Sequence, residues 1–454
     1  MMERLPMKHA MLVRVLVLLI VTVIGLGLAL TAFQQRFDGV VVAPSTDKWQ
    51  WAPAASFDEA SPPEGEWRNV VPGETIPSLV YWLSVPIPQG DWKNPQLKLS
   101  NVGSLKAVAD GRLVHSSRLA TERINAALHW TMIPISLPAP ERMELLVSYT
   151  KPYPVSAQLL VGDKADLLGE MLYSDLDNLV LGALLLFSGL ISLGLYGSQF
   201  ERRDLLYVYF ALLAFSGGYA VFVRNHLLQV VWDVPQLAYF HDISLSVATF
   251  AFVGLVTQVF PDIHRRANRL ILGLLLAYIL LTSIVALADP TLYFHYTFLV
   301  FGPLFIVVFI DVAWTLWSAY RRNSDLESIW MLAGFLCLAA IGGIHVYRFV
   351  LIARTPGWID DGLAWTHRLP ADLLFWGLFA FVVCLIRVIM YRYTAMHRQL
   401  TELNRNLEHE VRTRTRLLQE RTDQLENAHD SLRTSVRENT EALAEAMRLE
   451  ERHR

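Results

Sequence analysis

Cysteine is almost missing from this chain. Its 454 residues contain two, Cys337 and Cys384, and both fall inside apolar runs. No disulfide framework can therefore staple an exported segment, and no CxxC or Cys/His spacing offers a zinc site. Charged residues make up only 18% of the chain. Glycine and proline disappear from Thr394 onward, which excludes tight turns there. There is no Gly-rich ATP-binding region, no cyclase signature and no catalytic triad. No metal or cofactor is called for, and the expectation is a chain that is not itself an enzyme, its catalytic domain being absent. The net charge of −3 excludes little, because the charges are segregated. The arginines of the tail are balanced by acids along one helix, so nucleic acid is not an expected partner.

What is abundant is long apolar sequence: 53% of residues are hydrophobic and mean hydropathy is +0.34. Seven runs of membrane length follow one another, at Leu179–Tyr196, Leu205–Val223, Ile243–Phe260, Leu270–Leu287, Leu292–Trp317, Ile329–Ile352 and Leu373–Met390. Each suffices to cross a hydrocarbon core of about 30 Å as a helix, the form that satisfies its own backbone in lipid. Positive charge alternates between the loops. Arg202 and Arg203, then Arg265, Arg266 and Arg269, then Arg321 and Arg322, then Arg387, Arg392 and Arg398 mark one side. The positive-inside rule puts that side and the C-terminus in the cytoplasm and places the block before Leu179 outside. A further apolar run, Val15–Ala32, follows Arg4, Lys8 and Arg14. It reads as an uncleaved anchor in preference to a signal peptide, because Leu30 stands where a small residue should precede cleavage.

Residues 37–175 differ in kind. Prolines cluster, helical periodicity vanishes, and short β-like runs appear at Ser78–Ile87, Gln96–Val102, Leu105–Val108, Arg112–His115, Trp130–Leu137, Met143–Tyr149 and Val155–Val161. Asp110-Gly111 between two of these runs is a hairpin signal. Many short strands with little helix predict a β-sandwich. The resulting organisation is an N-terminal anchor (1–36), an exported sandwich (37–175), a seven-helix bundle (176–393) and a helical tail (394–454).

A resemblance adds to this reading. The runs Tyr81-Trp82-Leu83-Ser84-Val85-Pro86, Asp110-Gly111-Arg112-Leu113-Val114, Ile133-Pro134-Ile135-Ser136-Leu137-Pro138 and Glu144-Leu145-Leu146-Val147 lead into the seven spans. With Arg203-Asp204-Leu205-Leu206-Tyr207-Val208-Tyr209-Phe210 after the first span, this order resembles the bacterial seven-transmembrane receptors with diverse intracellular signalling modules. The resemblance covers roughly residues 45–393. It implies a jelly-roll, carbohydrate-binding-like periplasmic domain on a multi-pass protein of the bacterial inner membrane. The ending Leu449-Glu450-Glu451-Arg452-His453-Arg454 resembles the approach to the dimerisation helix of sensor histidine kinases. His453 precedes the place of the phosphoacceptor and is not assigned that role.

Candidate functional residues follow from position. Trp49, Trp51 and Trp92, in loop-like surroundings, could offer aromatic faces to a sugar ring, whereas Trp82 and Trp130, in strand-like runs, read as core. Ionisable residues within spans are costly and mark function by default. Asp311 lies in the fifth span, and His345 and Arg348 share a face of the sixth. Arg224, His226, His241 and Asp242 flank the outer loop between spans two and three, and Asp360, Asp361 and Arg368 sit before span seven. Each has a bland alternative in snorkelling and helix pairing. In the tail, Val411, Leu418, Leu425 and Leu432 recur every seven residues. Leu407 and Ala428 fill the companion seam, Arg414 and Arg421 interrupt it, and it then shifts to Val436, Leu443 and Met447. That predicts a parallel homodimeric coiled coil with a break.

The fold expected is thus a membrane α-helical bundle, one N-terminal span plus seven, with an exported all-β jelly-roll-like sandwich and a C-terminal cytoplasmic coiled coil. The function expected is that of a receptor. It senses a small-molecule or carbohydrate-like ligand through Trp49, Trp51, Trp92, Arg224, His226, Asp242, His345 and Arg348. It relays the signal through Asp311 and the Val411, Leu418, Leu425 and Leu432 seam to a histidine-kinase output in cis or in trans. The alternatives are the sensory part of a diguanylate cyclase and, in another class, a transporter or membrane enzyme.

Overall fold

The computed structural model of the protein describes residues 4–34, 37–71, 76–100, 103–118, 129–148, 158–198, 204–232, 237, 239–322, 325–354 and 373–453. Among the described residues, ten strands form two antiparallel sheets: β1 (Val41–Val42), β2 (Gln50–Pro53), β3 (Arg68–Asn69), β4 (Val80–Pro86), β5 (Pro95–Ser100), β6 (Ser104–Ala109), β7 (Arg112–Ser117), β8 (Trp130–Pro134), β9 (Arg142–Ser148) and β10 (Gln158–Asp163). The smaller sheet runs β1-β10-β5-β8 and the larger β3-β2-β4-β9-β6-β7.

The register assigns each side chain its face. Trp51, Leu83, Leu145, Ala107 and His115 stand opposite one another across five strands. The first four are buried between the sheets with Tyr81, Val85, Leu97, Leu99 and Ile133. One residue along, where the pleat reverses, Ala52, Trp82, Leu146 and Lys106 occupy the opposite face. Phe57 and Trp67 pack over this second row. Glu59 pins that cover, its Oε2 accepting from Trp82 Nε1 at 2.9 Å, while Lys106 Nζ lies 5.1 Å over the Phe57 ring. Trp82 is therefore core, as expected, but of an outer layer. Asp110 and Gly111 both have positive φ, 49° and 72°, which the right-handed twist of a two-residue hairpin requires.

Three aromatic expectations change here. Trp49, Trp51 and Trp92 are 2%, 8% and 7% exposed and belong to the inter-sheet core. Packed this way, their faces are closed to a sugar ring. Trp51 sits in β2, a strand too short to announce itself by alternation, and it meets Tyr81 edge-on at 6.4 Å.

The described helices are α1 (Arg4–Gln34), α2 (Lys164–Ser198), α3 (Leu205–Phe222), α4 (His226–Val231), α5 (His241–Val259), α6 (Arg265–Ala288), α7 (Pro290–Tyr296), α8 (Gly302–Arg322), α9 (Leu326–Arg354) and α10 (Leu373–His453). Among the described residues, eight helices are long and apolar enough to cross a membrane. α1 is one of them, and its Val15 and Leu19 are buried with Ala333, Cys337, Ala380 and Cys384. Close helix contact relies on small residues. A Cβ on Gly218 of α3 would meet Leu186 of α2 at 2.9 Å and the Gly182 carbonyl oxygen at 3.2 Å. Likewise Gly254 of α5 makes room for the Tyr209 ring of α3.

Three expected boundaries move. The sequence pattern places the start of the first of the seven spans at Leu179 and the end of the sandwich at Asp175. Instead α2 begins at Lys164, directly after β10, and runs through both positions. The polar stretch 164–178 forms helix because one side of it buries Leu167 and Met171, a tertiary gain that its composition hides. The fifth span is interrupted: Thr297–Phe301 is a π-helical segment between α7 and α8. Pro303 explains it, since a proline lacks the N–H that would close the preceding turn and its ring crowds the carbonyl four residues back. Finally, the last span and the tail form one helix, Leu373–His453. By contacts the chain divides into two units, Met1–Ile386 and Arg387–Arg454. In the second unit Val411, Leu418, Leu425 and Leu432 are 60%, 68%, 72% and 68% exposed.

Candidate functional site: where the sandwich meets the helices

The passage from β10 to α2 contains no linker. Asp163, the last residue of β10, accepts from the backbone N–H groups of Lys93 and Asn94 at 2.9 and 2.6 Å. The next residue, Lys164, donates its N–H to the Asn94 carbonyl at 3.1 Å. Two turns on, Glu170 accepts from Lys98 Nζ at 3.1 Å. Lys98 points from β5 to the face away from Leu97 and Leu99, and its side chain is 6% exposed. A lysine this buried requires its partner, because an unpaired charge away from water is expensive. The chain leaving α1 joins the same region: Phe33 stacks on Tyr173 at 5.2 Å, and the Val40 N–H donates to Asp166 at 3.3 Å.

A second attachment lies further along α2. Asp175, 4% exposed, faces the turn that ends α3. Its carboxylate accepts from the His226 backbone N–H in a very short contact, and His226 Nδ1 lies 3.1 and 3.2 Å from its two oxygens. Asn225 caps α4, its Oδ1 accepting from the Leu227 N–H at 2.8 Å, and its Nδ2 donates to the Asp175 carbonyl at 3.4 Å. The sandwich holds α4 from the other side. Trp130 Nε1 donates to the His226 carbonyl at 2.9 Å, and the Trp130 N–H donates to Gln229 Oε1 at 3.2 Å. Trp130 is thus half-buried at a contact with a helix and not, as its strand-like run suggested, in the sandwich core.

Behind this lies a polar interior. The rings of Tyr239 and Tyr293 meet at 4.8 Å, tilted by 49°. Tyr239 donates to the Ala286 carbonyl at 2.9 Å and Tyr293 to the Tyr239 carbonyl at 3.1 Å. Asp242 is near enough to influence the Tyr293 hydroxyl. Deeper still, the hydroxyls of Tyr278, Thr282 and Thr297 gather with Ser246. None of the first three reaches hydrogen-bonding geometry among the described residues. Elsewhere helical hydroxyls bond back to their own helix, as Thr249 does to the Leu245 carbonyl at 2.9 Å. Thr297 opens the π segment, so the irregular turn and the unsatisfied hydroxyls coincide. Such turns recur at functional positions.

The expected site residues therefore separate. His226 and Asp242 flank the junction and its polar interior, and Arg224 is half-buried in the turn between α3 and α4. The buried His241 opens α5. Asp311 lies apart on α8, half-buried. Its Oδ2 has no hydrogen-bond partner among the described residues. The side chains of His345 and Arg348, and residues Asp360, Asp361 and Arg368, lie outside the described residues. Asp175, Lys98, Glu170, Tyr278, Thr282 and Thr297 are not among the residues that the sequence singles out, and Trp130 is there only as a core residue. One signal was present: Asp175, Asp177 and Asn178 crowd the start of an apolar span, where membrane insertion gives no reason for them.

Among the described residues, no three His, Cys, Asp or Glu side chains are arranged to hold a metal ion. No protein-family model and no curated protein matches the chain.

Proposed function

We propose that the protein is the sensory and membrane part of a bacterial signalling receptor. In this reading the sandwich, of jelly-roll type, receives a ligand outside the inner membrane. The helices relay its state, and the tail forms a parallel dimeric coiled coil that drives a histidine-kinase output in cis or in trans. The observation that carries it is the double attachment of α2: continuous with β10 and tied by Lys98–Glu170 at one level, then joined through Asp175 to α4 and Trp130 at the next. A domain merely tethered to a membrane has no need of either. The exposed seven-residue repeat from Val411 to Leu432 supports the dimer, since a lone helix does not benefit from such a stripe.

The test uses cysteines at Leu418 and Leu425 in the full chain in vesicles, with and without Asp175→Ala. The relay reading expects the ratio of the two disulfide-formation rates to change when the junction is cut; equal ratios would overturn it. The output class is decided separately, by reading the frame beyond codon 454. A histidine-bearing dimerisation helix with an ATPase domain there supports the kinase, and a cyclase domain supports the alternative. Asp311, whose Oδ2 lacks a hydrogen-bond partner among the described residues, favours transport as a second reading. Uptake by vesicles that is lost in Asp311→Asn would establish it.

A further inference from the structure

The junction helix α4 has two unlike parts. Its polar groups face protein: Asn225 and His226 meet Asp175, while the His226 carbonyl and Gln229 meet Trp130. Its C-terminal end carries Val230 and Val231, followed by the C-cap Trp232, which are 49%, 87% and 59% exposed. Single exposed apolar residues are ordinary on protein surfaces; three in succession at the end of a helix call for a covering phase.

Position says which phase. α4 joins α3 to α5, both long and apolar enough to span a membrane, and it touches β8. It therefore lies at the sandwich end of those two helices. α2, which packs against α4, exposes the apolar side chains of Val180, Leu184, Phe187 and Leu190 elsewhere on its surface, so a helix beside α4 presents side chains that a bilayer would cover. Tryptophan is the side chain favoured where hydrocarbon gives way to headgroups, its ring apolar and its N–H free to bond.

We propose that Val230, Val231 and Trp232 insert into the interfacial layer of the lipid on the sandwich side of the membrane. α4 then joins lipid, sandwich and α2 at one point, so lateral packing of the bilayer acts on the Trp130–His226 contact directly. This rests on the membrane reading given above.

The full chain bearing Val231→Cys, labelled with a nitroxide and reconstituted in phosphatidylcholine–phosphatidylglycerol vesicles, tests it by collision with oxygen and with a water-soluble nickel chelate. Two labels calibrate the scale: Ile284→Cys on α6, exposed on a candidate span, and Leu113→Cys on the exposed surface of β7. Cys337 and Cys384 are buried, and label uptake by the parent chain measures their contribution. The expected result is a several-fold preference for oxygen over nickel at residue 231, between the values of the two controls. Nickel access at 231 equal to that at 113 overturns the proposal. So does spin–spin broadening at 231, which would mean that a second copy covers the strip. Nickel access at 284 would instead overturn the membrane reading itself, and this proposal with it.

Discussion

In the sandwich, Tyr81, Trp82, Leu83, Leu97, Leu99 and Leu145 are fully buried, whereas along the second unit Leu418, Leu425, Leu432, Leu443 and Met447 are mostly open to solvent. Both regions carry large apolar side chains at regular spacing. The period differs, two in one and seven in the other, and so does what can satisfy it. A period of two folds back on a second sheet of the same chain. A period of seven on an exposed helix meets no other described element of its own unit; in the dimer proposed above, a second helix of the same kind would complete it.

The contrast can be broken. Leu145→Ala, at the centre of the inter-sheet row, is expected to cost the sandwich about 2–5 kcal/mol, read as earlier urea unfolding in limited proteolysis. Leu425→Ala should change the stability of a single chain by less than about 0.5 kcal/mol while weakening its self-association. Equal effects would mean that the two regions do not differ as described. Next in size is Asp175→Ala, which leaves the His226 backbone N–H and ring nitrogen without their carboxylate partner. A cost of about 1–3 kcal/mol is expected, confined to α4 and read as faster amide exchange over residues 226–231 with the sandwich amides unchanged. Replacing Arg414 and Arg421 by leucine completes the companion seam and should shift the monomer–dimer balance of the detergent-solubilised chain toward dimer. Sedimentation showing no shift would argue against a dimer through this stripe.

The smallest effect expected is electrostatic. Burial pushes the Glu144 carboxyl above its ordinary value. Its backbone hydrogen bond and Arg142 draw it partly back, and Asp110 raises it again. A raised acid favours the fold below the ordinary value near 4.5 and loses that contribution as pH rises through the shifted one. Glu144→Gln should therefore gain on the parent protein as pH rises through that shifted value, and should match it in strong acid. His115 acts in the other direction. Burial lowers it from 6.5, so its contribution is present above that value and is lost as pH falls through the lowered one. Sandwich unfolding midpoints followed across pH separate the two.

Much of the sandwich was legible because alternation is a local signal. The runs at Ser78–Ile87 and Met143–Tyr149 are within two residues of β4 and β9 at either end. β1 and β3, two residues each, carry no period to read. Trp49, Trp51 and Trp92 were misplaced for the same reason: their neighbours in sequence look like loop, and only distant strands make them core. The candidate site was less legible. His226 and Asp242 stood out as polar residues beside spans. The setting of His226 is not visible in the sequence, since it depends on Asp175 and Trp130, 51 and 96 residues away. The π segment had a visible cause in Pro303, but a proline predicts a disturbance and not its form.

One consequence of the unbroken passage from β10 to α2 concerns motion. β10 is bonded on both sides, to β1 and to β5, and a slip of one residue in either ladder would turn its side chains to the wrong face. It would also withdraw Lys98 from Glu170. α2 therefore cannot slide like a piston or spin on its axis beneath a stationary sandwich. Sandwich and α2 are joined as an arm to its head, so in the receptor proposed above the motion that keeps these contacts is a tilt of the two together.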